Sequence, residues 1–173
     1  MSADQPRSRQ RAIERALAGA KARLPDLPYE LILAARLMSH AHKQSQQLIN
    51  EVMKAHELNY GSYSTLMVLY GAGPEGIGAR ELSEATGEKP NNLTRLCDEL
   101  HARKLLHREP GVDDRRRVML RLTRSGEKLA EQIQPEIWAV VEHLYRDFTP
   151  AELRQMQRLF GKLLDAGEAA IDP

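Results

Sequence analysis

One cysteine, Cys97, stands in a chain of 173 residues, so no disulfide forms within it. Aromatic residues are sparse at 5%, against 28% charged, a balance that suits a soluble, helix-rich protein. No apolar run approaches the roughly 18 residues of a membrane span. The stretch from Met1 to Arg11 is polar and basic, without the apolar core of a secretory signal, so a cytoplasmic protein is expected. The histidines (His40, His42, His56, His101, His107 and His143) include no zinc motif such as His-Glu-x-x-His. No nucleophile–base constellation or phosphate loop is present either. Neither a metal, a cofactor nor an enzymatic activity is therefore expected. No linker or internal repeat divides the chain, and its length allows one domain with a real core.

Net charge is also close to absent, at +1, but its distribution is uneven. Lys89 to Lys128 holds eleven Lys and Arg against six Asp and Glu, whereas the residues after Lys128 hold four against eight. A basic middle beside an acidic tail points to a polyanion docked by one segment. That segment reads as a helix (Pro90–Lys104), an apolar strand (Leu105–Arg108), a charged tip from Gly111 to Arg117, and a return strand (Val118–Leu122). Before it lie a short helix (Ala79–Thr86) with Leu82 and Ala85 inward, and Gly87 as a left-handed cap. Helix, glycine turn, helix and arginine-tipped hairpin together form the pattern of a winged helix-turn-helix.

In the helix from Pro90, Leu93, Leu96, Cys97 and Leu100 fall at i, i+3, i+4 and i+7, one buried stripe. The opposite face carries Asn91, Asn92, Thr94, Arg95 and Asp98. Its amides and guanidinium suit adenine and guanine edges in the major groove of double-stranded DNA, and its N-terminal end favours phosphate. Cys97, on the apolar stripe, is expected to be packing and not a redox sensor.

The remaining elements follow from periodicity and breakers. Met1–Arg9 is expected to be a disordered tail, Gln10–Leu24 a helix stopped by Pro25, and Pro28 to about His56 a long helix with a half-apolar stripe. Tyr60–Tyr70 is a compact apolar helix, and Gly76–Gly78 a short third strand. Val118, Leu120 and Leu122 should share one buried strand face. Thr123 caps a helix in which Pro135 should produce a kink or a division, and Thr149 to Glu152 is a capping box opening the last helix.

The run Asp114-Arg115-Arg116-Arg117-Val118-Met119-Leu120-Arg121-Leu122-Thr123 resembles the wing signature of the MarR family of transcriptional regulators, and Asn92 to Leu100 resembles its recognition helix. The resemblance covers Pro28 to about Ala169. Leu27 to Leu33 looks like the Emr-type subgroup, whose members repress multidrug efflux operons. Lys104 departs from the pattern, which usually has Gly there. The resemblance implies a mainly α fold: a winged helix-turn-helix with a small β-hairpin wing (59–123), inside a helical dimerisation region (10–58 and 124–173). It implies a homodimer on a palindromic operator, with Arg116 in the minor groove, Asp114 holding it, and Arg115 and Arg117 on phosphates. It further implies a small aromatic or phenolic effector lying among Arg36, His40, Tyr63, Met67, Tyr70 and Trp138. Control of aromatic catabolism or of a stress response is the alternative to efflux.

Overall fold

Proline, glycine and capping side chains punctuate the chain. The computed structural model describes residues 6–110 and 118–171. Helix α1 (Pro6–Arg23) starts earlier than expected, taking in Pro6 to Arg9, because proline suits a first helical turn. It packs on α2 (Tyr29–Lys54) and buries Ile13 and Leu17. The outer part of the α2 stripe stays exposed, with Leu31 at 73%, whereas Met53 at its far end is fully buried.

Asn59 caps α3 (Tyr60–Ala72), its Oδ1 accepting from the Ser62 N–H at 3.0 Å. A 3-10 turn (Gly73–Glu75) leads to β1 (Ile77–Gly78), α4 (Ala79–Thr86) and α5 (Pro90–Ala102). Between α4 and α5 Gly87 is left-handed (φ 69°, ψ 10°), and the Ser83 hydroxyl donates to the Glu88 carbonyl at 2.6 Å across the turn. Leu82 is buried, but Ala85 is exposed, contrary to expectation: on an eight-residue helix the buried arc is one leucine wide, flanked by half-buried Ser83 and Thr86.

α5 ends two residues sooner than its periodicity suggests. The Lys104 N–H reaches the His101 carbonyl and the Leu105 N–H the Leu100 carbonyl, both at 2.9 Å, and Lys104 is left-handed at φ 57°. Leu105 thus belongs to the helix cap, and the strand is β2 (Leu106–Pro110). β2 pairs antiparallel with β3 (Val118–Leu122), which pairs with β1, giving the order β1-β3-β2. Leu106 faces Leu122 and Pro110 faces Val118 in register. Leu120 and Leu122 are buried, but Val118, at the hairpin's far end, is 49% exposed.

The chain divides into two compact units, Met1–Ile133 and Gln134–Pro173. In the first, Met53, Leu66, Leu69, Leu82, Leu96, Leu100 and Leu106 are almost fully buried and join α2, α3, α4, α5 and the sheet. α6 (Arg124–Tyr145) runs through Pro135 without a break, so the proline does not divide it. Gly126, in its first turn, lies against the Leu105 carbonyl so closely that a Cβ there would overlap the oxygen. In the second unit α7 (Pro150–Ile171) opens on the expected box: the Thr149 N–H and hydroxyl donate to Glu152 Oε2 at 2.8 and 2.7 Å. Those bonds, the backbone one foremost, hold the Glu152 carboxyl below its ordinary range. Among the described residues no helix is long and apolar enough to cross a membrane.

Candidate nucleic-acid interface

Helix α5 shows one apolar and one polar face. Leu93, Leu96, Cys97 and Leu100 are all buried, which turns Asn91, Thr94 and Arg95 to solvent and leaves Asn92 half-buried. The polar side chains are not independent. Asn92 Nδ2 donates to Glu88 Oε2 at 2.5 Å; Asn92 Oδ1 accepts from Arg95 Nη2 at 2.9 Å and, at 3.3 Å, from Nε; Arg95 Nη1 donates to Glu99 Oε1. Glu88, Asn92, Arg95 and Glu99 form one ladder along the helix. The i, i+3 and i, i+4 spacings allow it and could have revealed it in the sequence. The Thr94 hydroxyl donates backward to the Pro90 carbonyl at 2.9 Å.

The hairpin is tied to the same helix. Arg108 Nη2 on β2 donates to Asp98 Oδ1 at 2.5 Å, and the His101 ring nitrogen Nδ1 lies 3.0 Å from the Leu106 carbonyl oxygen. Thr123 does two things at the far side of the sheet: its hydroxyl donates to the Lys104 carbonyl at 2.7 Å and accepts from the Gly126 N–H at 3.0 Å. Burial pushes the Cys97 thiol up, with the Arg108 guanidinium pulling weakly the other way. A buried thiol held protonated is a poor nucleophile.

A cavity of about 550 Å³ opens between α4, α5 and the hairpin. Ala79, Leu93, Cys97, Val118 and Leu120 give it apolar walls, and Arg80, Thr94 and Arg108 supply polar groups. Its residues are scattered from α4 to β3, so no sequence spacing exposes it. A smaller polar recess of about 230 Å³ lies where Asn50, Asn59, Tyr60 and Gly61 meet Glu88, Asn92 and Arg95.

A family model described as transcriptional regulator SarA/Rot matches residues 47–133. The transcriptional repressor MprA of Escherichia coli strain K12 is 30% identical over 152 residues, 88% of this chain and 86% of that protein. The chain belongs to the MarR family of transcriptional regulators. The multiple antibiotic resistance protein MarR of the same strain is 25% identical over 140 residues, 80% of this chain and 96% of that one. A solved structure of a mutant E. coli MarR complexed with operator DNA matches with a TM-score of 0.71 at 25% identity, over 80% of this chain and 99% of that chain.

In this MarR-family chain the mainly α winged helix is as expected: α4 and α5 make the helix-turn-helix, and β2 and β3 the hairpin. Asn92 and Arg95 are brought together, while Asn91 and Thr94 stand beside them on α5. Asp114, Arg115, Arg116 and Arg117 lie outside the described residues. Of the expected effector residues, Arg36 and His40 are exposed on α2, and Tyr63, Met67 and Tyr70 lie on α3. The Tyr70 hydroxyl donates to Glu131 Oε1 at 3.1 Å, a bond that raises its pKa. Trp138 lies in the second unit and is 60% exposed. Neither cavity above is lined by any of these six. Among the described residues no His, Cys, Asp and Glu side chains cluster in a way that could hold a metal.

Proposed function

We propose that the protein is a homodimeric repressor that holds a palindromic operator in double-stranded DNA and lets it go when a small aromatic or phenolic compound binds. Its place of action is the cytoplasm and its target a multidrug efflux operon. The observation that carries the reading is the two-faced α5: a fully buried stripe sets Asn91, Thr94 and Arg95 outward and leaves Asn92 half-buried, while the sequence joining β2 to β3 carries Asp114-Arg115-Arg116-Arg117. Asn and Arg are the side chains that match adenine and guanine edges in the major groove, and an arginine-rich wing suits the narrow minor groove. Similarity to proteins named as a repressor and as a multiple antibiotic resistance protein supports repression and the efflux target.

Two copies are supported by the second unit, where Trp138, Phe160, Leu163 and Leu164 remain 45–67% exposed in one chain. So many large apolar side chains in one short unit suit a partner surface. A ligand loosens DNA only by favouring a conformation that DNA does not. The cavity between α4, α5 and the hairpin suits that task, because its walls are apolar enough for a ring and Arg108, which Asp98 engages through Nη2, has further donors for an acidic group. The residues around Tyr63 and Arg36 are the other proposed place. Isothermal titration with salicylate-like acids distinguishes them: Arg108→Ala abolishes binding in the first case, Tyr63→Ala in the second. Genome-wide footprinting with and without such acids tests the whole reading. Occupancy upstream of transporter genes, lost on adding acid, supports it. Occupancy at catabolic or stress genes replaces the efflux target, and acid-independent occupancy removes the effector.

A further inference from the structure

The Arg95 guanidinium has five N–H donors in a planar fork. Asn92 Oδ1 takes those of Nε and one of Nη2, and Glu99 Oε1 takes one of Nη1, so three are committed inside the helix. Two remain, the number that the O6 and N7 atoms of a guanine accept. The clamp is closed at its other end, because Asn92 is itself held by Glu88, whose second carboxylate oxygen sits over Gly61 at the start of α3. A Cβ on Gly61 would lie 3.2 Å from that oxygen, so the glycine leaves room for the carboxylate.

We infer that Glu99 is a specificity-determining positioning residue, which clamps Arg95 so that its two free donors meet a base edge instead of swinging to the phosphate backbone. The inference rests on the proposed reading of α5 as the DNA-reading helix. A free arginine on a half-exposed helix face reaches phosphates of any sequence, and each such contact adds affinity without information. Glu99 opposes that in two ways. Its carboxylate engages Arg95 before DNA arrives, and its charge repels a phosphate that approaches the guanidinium. A guanine edge asks for neither the committed donors nor the charge, so the operator complex keeps the clamp intact.

The test uses the full chain and two duplexes: one selected by the protein from a randomised 30-base-pair library, and a scrambled version of it. Glu99→Gln removes the charge and leaves a weaker neutral acceptor; Glu99→Asp keeps the charge but shortens the reach, and both loosen the clamp at Nη1, leaving Arg95 held by Asn92 alone. With either variant the selected-over-scrambled affinity ratio falls about three- to tenfold. With Glu99→Gln the salt slope on the scrambled duplex steepens by about 0.9, one more phosphate neutralised. In an Arg95→Ala background the same substitutions leave the ratio unchanged. Equal gains on both duplexes, an unchanged ratio, or a ratio change that persists without Arg95 each overturn the inference. If Arg95→Ala alone alters neither duplex while DNA still binds, Arg95 is not a reading residue and the inference falls with it. If no duplex is enriched at all, it is the reading of α5 that fails. Melting curves check the fold, and either substitution alone suffices if the other does not fold.

Discussion

The guanidinium of Arg103, one residue past α5, donates to the Glu57 carbonyl at 2.8 Å and to the His56 carbonyl at 3.0 Å. Those carbonyls end the turn that leaves α2, and Glu57 there is left-handed at φ 54°. The end of α5 is thereby fastened to the end of the long helix α2. Arg103→Ala should lower stability by about 0.5–1.5 kcal/mol, the lower part being favoured because the side chain is exposed. Glu57→Gly should raise it by up to about 1 kcal/mol, since glycine adopts positive φ without a Cβ penalty. Urea denaturation of both variants measures this; a gain for Arg103→Ala would contradict it.

Lys104 presents the same backbone problem at φ 57°. The cap bonds to His101 and Leu100 and the hydroxyl of Thr123 over-determine the turn, which is why a lysine survives there. Lys104→Gly is expected to stabilise the protein by about 1 kcal/mol in a thermal melt. A loss would mean that the lysine side chain contributes more than its backbone costs.

Gly126 and Gly19 separate two uses of glycine. A Cβ at Gly126 overlaps the Leu105 carbonyl, whereas one at Gly19 meets nothing within 4 Å. Gly126→Ala should cost about 1–3 kcal/mol or more, by prising the start of α6 from the base of the hairpin. Gly19→Ala, in the interior of α1, should gain about 0.5–1 kcal/mol. Matched denaturation curves decide both signs.

Much of this was legible in the sequence. Hydrophobic spacing located α5's buried stripe, and Gly87, Pro90 and Thr149 marked boundaries where the structure has them. The misses have local causes. Leu105 reads as strand because it is apolar, yet its N–H closes the α5 cap. Val118 alternates correctly with Leu120 but reaches past the core. The cavity bounded by Arg108 and Thr94 depends on a tertiary approach that no local pattern encodes. The ladder from Glu88 to Glu99 was visible as spacing, but polar residues on a helix surface are common enough that spacing alone carries little weight.

Cys97 gives a pH prediction. Its thiol is raised above its ordinary value by burial, so the folded state holds the proton that the unfolded chain releases. The thiol's contribution is then fully present below the unfolded value, about 8.5, and is lost as pH rises from there through the folded one. Stability should fall over that alkaline window, and Cys97→Ala should lessen the fall. Iodoacetamide should label the native protein far more slowly than the urea-unfolded chain at pH 8; equal rates would place the thiol at the surface.

Selection of duplexes from a randomised library by the purified full chain tests most directly whether two copies of α5, each with the arginine-bearing sequence that joins β2 to β3, meet one face of DNA. An enriched palindrome with half-sites about 10 base pairs apart, bound by a dimer, is expected, and loss of that enrichment with Arg116→Ala in a chain that remains folded and dimeric. Recovery of unselected sequences, or of a single non-repeated site bound by a monomer, would contradict it.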